Sequence, residues 1–317
     1  MKTPMRLLLL FLAGVVIIAT SPVPVFAQDH YMTRRPINLS LLAEVDQGSR
    51  SMIGGFVTCS PEQHRYLIRA IGPTLRRYGV TNPNEAPRIL LFNNQSSDGF
   101  MMEQRGWTPN LAPVFLAAGA FELPIGSNDS AMVVTLPSGI WSVIITSDTL
   151  GGSALLELYD LDKEKIGGLI NISGRGYIPP GGRMAPGVVI EGLGVCKLLI
   201  RAVGPALKSF GIDDAVSDPV MDVFMSTEQP NGAWDGAKVG SKLLVNNIAP
   251  FVLDVYGAFQ IPVFTQNPGW ATASTGPSWI GPKTMLSAPV LSVSNTGGVC
   301  LVEIYATDQE IRPPATP

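Results

Sequence analysis

Histidine and charge are both scarce in this chain. Only His30 and His64 occur among its 317 residues, which leaves most histidine-dependent catalysis short of a base. Charged residues make up 15%, against about 25% in ordinary globular chains. The 22 Lys and Arg face 25 Asp and Glu, for a net charge of −3, and no basic stripe forms. That balance excludes a nucleic-acid binder, whose phosphate contacts need a surplus of cations. Cysteine is limited to Cys59, Cys196 and Cys300, with no C-x-x-C and no Cys/His cluster, so no metal site is expected. No G-x-S-x-G elbow occurs. The Gly151-Gly152 and Gly181-Gly182 pairs are turns without the Lys and helix start of a phosphate loop, so no cofactor is expected either.

What is present begins with a leader. Lys2 and Arg6 precede an apolar stretch from Leu7 to Thr20, Pro22 and Pro24 break it, and Val25-Phe26-Ala27 places small residues at a cleavage site. This is the pattern of a secretory signal peptide over residues 1–27. The stretch is short for a membrane span, which needs about 20 apolar residues, and no later run approaches one. The mature chain is therefore expected outside the cytoplasmic membrane: periplasmic, on the cell surface or extracellular, and not integral to a membrane. In such an oxidising compartment three cysteines allow one bridge and a leftover thiol. Cys196 and Cys300 both open strand-like runs and are the candidate disulfide. The alternative is three buried thiols acting as small apolar groups.

The body of the chain is an internal duplication. Leu67-Ile-Arg-Ala-Ile-Gly-Pro-Thr-Leu75 returns as Leu199-Ile-Arg-Ala-Val-Gly-Pro-Ala-Leu207. Ile37-Asn-Leu-Ser40 returns as Ile170-Asn-Ile-Ser173, and Pro87 to Phe92 aligns with Pro219 to Phe224. Gly119-Ala-Phe-Glu-Leu-Pro124 returns as Gly257-Ala-Phe-Gln-Ile-Pro262, and Leu155-Leu-Glu-Leu-Tyr159 as Leu301-Val-Glu-Ile-Tyr305. The five matches keep their order while the offset drifts only from 132 to 146 residues.

Each copy reads as short strands rich in Val, Ile, Leu and aromatics, separated by Gly, Pro, Asn and Asp. In the first copy these are Ile53 to Thr58, Tyr66 to Ile71, Ile89 to Phe92, Ala131 to Leu136, Trp141 to Thr146 and Leu155 to Tyr159. A short helix is expected from Pro113 to Ala118, with a counterpart from Pro250. The expected fold is all-β: two tandem antiparallel β-sandwiches of jelly-roll or immunoglobulin-like type behind the cleaved leader. The divisions are a lead-in at 28–35, a first sandwich at 36–161, a linker at 162–168, a second sandwich at 169–306 and a disordered tail at 307–317. Between 263 and 290 the second copy diverges, and a Gly/Pro/Trp-containing stretch replaces the recognisable strand pair.

These repeated motifs resemble a tandem sandwich repeat of secreted proteins from environmental bacteria. Its pattern runs I-N-x-S, L-I-R-A-x-G-P-x-L, G-A-F-x-L-P and L-V-E-V-Y. Val134-Thr-Leu-Pro-Ser-Gly-Ile-Trp-Ser-Val143 is also similar to the L-P-P-G-x-Y strand of prepeptidase C-terminal sandwiches, with Trp141 in the Tyr place. The resemblance spans residues 36–306 and implies architecture and compartment, not a mechanism.

Charge inside apolar strands is the next signal. Arg69 shares a strand face with Leu67 and Ile71, and Glu157 shares one with Leu155 and Tyr159. A buried charge is costly unless paired. The expected arrangement is a structural ion pair in each copy, Arg69 with Glu157 and Arg201 with Glu303. A hydrolase using Glu157 as acid or base is the sharper alternative, disfavoured because the residue is duplicated. His64, in a polar Pro61-to-Arg65 turn, is expected to be exposed. The Asp213, Asp214, Asp218 and Asn93, Asn94, Asp98 clusters are expected turns rather than calcium loops.

Trp107, Trp234, Trp270 and Trp279 lie in Gly/Pro-rich loop contexts and are the candidate ligand-binding residues, with Trp107 and Trp234 at similar places in the two copies. The alternative is that they plug the ends of the sandwich. The expected function is that of a non-enzymatic, surface-associated binding or structural module. Its partner is a polysaccharide or envelope polymer, or other secreted proteins engaged through adhesive assembly at strand edges.

Overall fold

The computed structural model describes residues 34–46, 50–97, 99–147, 149–192, 198–228, 234–241, 270–274 and 283–306. The leader, the helix expected from Pro250, Cys196, Trp279 and the tail lie outside these residues. In the first half the strands are β1 (Arg34–Val45), β2 (Met52–Cys59), β3 (His64–Ile71), β4 (Pro87–Asn93), β5 (Phe100–Arg105), β6 (Ser130–Leu136), β7 (Gly139–Ser147) and β8 (Gly152–Asp160). Among the described residues of this half one α-helix, α1, spans Ala112–Ala118, with Pro113 in its first turn and Gly119 closing it in the left-handed conformation. The second half follows the same order with β9 (Gly168–Ile178), β10 (Ala185–Gly192), β11 (Leu198–Val203), β12 (Pro219–Glu228), β13 (Trp234–Ser241), β14 (Trp270–Ser274), β15 (Lys283–Ser287), β16 (Val290–Ser292) and β17 (Gly298–Ala306).

The strands pair antiparallel in two layers. One runs β6, β3, β8, β1, β10, β15, β12, β13, with β16 continuing β15 along β12. The other runs β5, β4, β7, β2, β9, β17, β11, β14. Each layer therefore contains strands of both halves. The halves join along β1–β10 and β2–β9, which exchanging the halves interconverts, and a single further pair, Glu44 with Tyr177, links β1 to β9. Sequence alone suggested two sandwiches on a charged linker; the structure instead fuses them through shared sheets. The physical reason is edge protection. Four strands that would expose unpaired N–H and C=O groups at sheet edges satisfy one another. Residues 161–167 accordingly form a pinned turn rather than a free tether. The Asp162 carboxylate accepts bonds from the Arg65 backbone N–H at 3.0 Å and Nε at 2.9 Å, and Lys165 Nζ lies 3.0 Å away. The 263–290 stretch, where no strand pair was recognisable, supplies β14 and β15, which pair with β11 and with β10 and β12.

One core lies between the layers and draws on both halves. Alternate residues face it: Leu39, Leu41, Ala43 and Val45 of β1, Ile68 and Ala70 of β3, Leu156 and Leu158 of β8, Val188 and Ile190 of β10, Val302 and Ile304 of β17. Trp141 is buried there, its Nε1–H donating to Thr58 Oγ1 at 3.0 Å. The outer faces carry a smaller cluster in each half. Leu67, Ile71, Phe115 and Leu123 form one, under α1, and Val203, Leu207, Val299 and Leu301 form the other.

The repeated Gly-Pro has a steric cause. A Cβ on Gly72 would stand 2.0 Å from the Asn84 carbonyl oxygen, and one on Gly204 would stand 2.2 Å from that of Val216. The prolines that follow open the 3₁₀ turns Pro73–Tyr78 and Pro205–Phe210. Asp129, fully buried, accepts the Gly72 N–H at 2.8 Å and the Thr74 hydroxyl, fixing the first of these turns.

Candidate functional site

The repeated motifs converge on one transverse row in each half. Register places Arg69 opposite Glu157, Glu157 opposite Ser40, and Tyr159 opposite Asn38. In the second half it places Arg201 opposite Glu303, Glu303 opposite Ser173, and Tyr305 opposite Asn171. The facing strand must then be glycine. A Cβ on Gly187 would lie 2.7 Å from Ser40 Oγ, and one on Gly55 would lie 2.4 Å from Ser173 Oγ. The I-N-x-S, L-I-R-A and L-x-E-x-Y motifs are thus one three-dimensional constellation, on the outer faces of the sandwich.

The two rows differ in closeness. Arg201 Nε donates to Glu303 Oε2, and Tyr305 Oη donates to Glu303 Oε1 at 2.7 Å. All three residues are 5% exposed or less. Arg69 Nε lies 3.0 Å from Glu157 Oε2, an ion contact whose angle misses hydrogen-bond geometry. Arg69 instead donates Nη1–H to the Phe121 carbonyl at 2.6 Å and stacks on Phe115 and Phe121, 4.7 and 4.5 Å from their ring centres. Burial pushes the Glu157 carboxyl above its ordinary range, opposed by the Arg69 charge and a bond from Tyr159. Tyr159, bonded also to Asn38, is raised by burial and by Glu157.

Beside the first row the sheet surface opens into a cleft of about 770 Å³. Asn38, Ser40, Glu157 and Tyr159 line it where the two halves meet. Val114, Leu116 and Ala117 of α1 form one wall, and Val189, Lys283, Met285 and Trp234 face them from the second half. Trp234 reaches this position because the β12–β13 hairpin is extended. β12 has 10 residues against 7 in β4, and Trp234 pairs with Glu228 at its far end. Trp234 is 43% exposed and Met285 42%.

The other tryptophans have different surroundings. Trp107 follows β5, whereas Trp234 opens β13, so the two sit at opposite ends of corresponding strands and are not equivalent; the alignment could not see the longer hairpin. Trp107 packs on the outer cluster 5.5 Å from Phe115, its Nε1–H donating to Ser127 Oγ at 3.1 Å. Trp270 opens β14, and Trp279 lies outside the described residues.

His64 is not an exposed turn residue. It opens β3 at 1% exposure, with Nδ1 3.1 Å from Asp160 Oδ1 and Nε2 3.3 Å from the Ile166 carbonyl. Arg35 Nη2 lies 3.7 Å from the same carboxylate. Cys59 and Cys300 are buried free thiols, pushed up by burial to about 11 and about 12. Asp218 caps a turn through Ser292 Oγ and the Ser294 N–H, both at 2.6 Å. Among the described residues no group of His, Cys, Asp and Glu could hold a metal ion, and no helix is long and apolar enough to cross a membrane.

Sequence reasoning singled out Arg69, Glu157 and Trp234 but passed over Asn38, Tyr159, Lys283 and Met285. The first two carried a signal in their motifs: Asn38 recurs as Asn171, and Tyr159 shares the face of Glu157. Lys283 and Met285 carried none, because only the join of β10 with β15 brings them to the first half.

No family model and no curated protein matches the chain. Among solved structures it is similar to a DUF4785 family protein from Legionella pneumophila subsp. pneumophila str. Philadelphia 1, with 11% identity and a TM-score of 0.19. The match covers 57% of this chain and 54% of that one, so the chain spans about half the length of that structure. A likeness at that TM-score carries no argument about fold or function.

Proposed function

We propose that the chain is a secreted, non-enzymatic, duplicated β-sandwich protein that serves as a surface-associated binding module. Its cleft at the junction of the halves holds a carbohydrate or envelope polymer. The observation that carries this reading is the cleft itself. Trp234 offers an exposed ring for stacking, while Asn38 and Tyr159 supply hydrogen-bonding groups and Val114, Leu116 and Met285 an apolar lining. The leader pattern and the resemblance to secreted sandwich repeats support the compartment. The test is depletion binding of the intact chain on insoluble bacterial and plant polysaccharides. Saturable retention on one polymer, lost in Trp234→Ala, supports the reading; no retention across the panel refutes it.

One observation favours structural or adhesive assembly as a second reading. Edge strand β5 bonds to β4 and exposes Phe100, Met101 and Met102 at 50%, 45% and 40%. Concentration-dependent oligomers without polymer, dispersed by Met101→Lys, would favour it.

A further inference from the structure

We infer that the seam between the halves is a two-fold interface that fits a second copy of this chain. Two molecules exchange halves, so that the first half of each seats the second half of the other. The inference goes beyond the cleft reading and stands independently of it.

The seam is symmetric in register. In β1–β10 Ser40 faces Gly187 and Asn38 faces Val189, while in β2–β9 Ser173 faces Gly55 and Asn171 faces Val57. Each ladder then skips one residue, Ile37 in β1 and Ile170 in β9, the first position of the two I-N-x-S motifs. An interface in which the same positions meet reciprocally is the isologous contact of a two-fold dimer. Apart from the seam and the Glu44–Tyr177 pair, every ladder among the described residues joins strands of one half. The halves can therefore part without a strand being drawn out of either.

On the core side the two-fold is broken in a way that selects the partner. Leu41 and Gly174 each follow the serine of their motif, and Ala43 and Gly176 come two residues later. A Cβ on Gly174 would lie 2.7 Å from Leu41 Cδ2, and one on Gly176 would lie 2.5 Å from the Ala43 Cβ. Two first halves would set Leu41 against Leu41, and two second halves would face glycine with glycine. Pairing a first half with a second half fills the space, and the exchanged dimer keeps that pairing.

The exchange has a hinge in the turn between β8 and β9. Gly167 closes this turn with a φ of 84°, and a Cβ there would stand 2.1 Å from the Cys59 carbonyl oxygen. Opening the turn gives up the Lys165 Nζ bond to the Gln63 carbonyl at 2.8 Å. It also gives up the Ile166 carbonyl contacts with Ser60 Oγ at 2.8 Å and His64 Nε2 at 3.3 Å. Stretched out, residues 163–167 span about 16 Å. Every seam pair is rebuilt between chains, so the balance lies in these hinge contacts and in chain concentration against the effective concentration the tether supplies.

The test unfolds the intact chain in urea, tagged and untagged together, and refolds it at rising concentration. Light scattering gives the mass, and capture on the tag detects tagged–untagged pairs. Wild type is compared with Gly167→Ala and Met101→Lys. The expected result is a dimer fraction that rises with concentration, contains tagged–untagged pairs and persists on dilution, while mixing already folded chains yields none. Gly167→Ala raises the dimer fraction several-fold at equal concentration, because its strain is confined to the closed turn, and Met101→Lys matches wild type. Monomer at every refolding concentration would overturn the inference. Dimers that form between folded chains, or that disperse in Met101→Lys, belong to strand-edge association and would overturn it too. So would a Gly167→Ala variant with a lower Tm and no more dimer. If Gly167→Ala does not fold, the co-refolding comparison in wild type still decides. Polysaccharide retention tests the cleft reading separately from all of these outcomes.

Discussion

Removing one member of the Arg201–Glu303 pair and then removing both tests whether these charges are fold-specifying. Arg201 is 1% exposed and Glu303 2%, and the carboxylate accepts bonds from both Arg201 Nε and Tyr305 Oη. Glu303→Gln keeps the shape and leaves the guanidinium buried without its counter-charge, which costs about 3–5 kcal/mol. At roughly 2–4 °C per kcal/mol for a chain of this order, Tm should fall by about 6–20 °C. The double variant Arg201→Met/Glu303→Leu removes both desolvation costs and should recover to within about 1 kcal/mol of wild type or exceed it. Glu157→Gln should leave stability within about 1 kcal/mol of wild type, because Arg69 keeps the Phe121 carbonyl and its two ring contacts and burial already disfavours the charged form of Glu157. Urea unfolding followed by far-UV circular dichroism gives all four values. Glu303→Gln within 1 kcal/mol of wild type, or a double variant no better than the single, would refute the reasoning.

Three further outcomes are expected. Burial raises the Glu157 carboxyl, so its contribution to stability is full below the unfolded value of about 4.3 and is lost as pH rises above it. Urea midpoints between pH 4 and 7 should therefore fall less steeply in Glu157→Gln than in wild type, and parallel slopes would contradict this. Gly204→Ala would place a Cβ 2.2 Å from the Val216 carbonyl and should destabilise by about 1–3 kcal/mol in a thermal melt, as should Gly72→Ala. Cys59 and Cys300, held at about 11 and about 12 by burial, should resist a thiol-reactive chromophore at pH 8 and react on unfolding. Rapid reaction of both in the native protein would be inconsistent with that burial.

Much of the strand pattern was legible because a period of two marks a half-buried strand directly. Arg69 with Leu67 and Ile71, and Glu157 with Leu155 and Tyr159, do lie on one outer face, in register. The fusion of the halves was not legible, because the β1–β10 and β2–β9 joins are long-range and sequence does not say which edge meets which. His64 was misread for a related reason: its polar neighbours signal a turn, while the Asp160 that buries it lies 96 residues away. The apparent equivalence of Trp107 and Trp234 arose because the repeat match does not register the three-residue run-on of β12 from Ser226 to Glu228. The cleft combines all three hidden features: a shared sheet, a longer hairpin and a pinned turn.

The most direct test of the central claim is tryptophan emission of residues 28–317, wild type and Trp234→Phe, titrated with the polysaccharide panel. The account predicts a saturable spectral shift with one polymer of the panel in wild type, and loss of the shift in Trp234→Phe. A shift that survives the substitution would place binding away from this cleft and contradict the account.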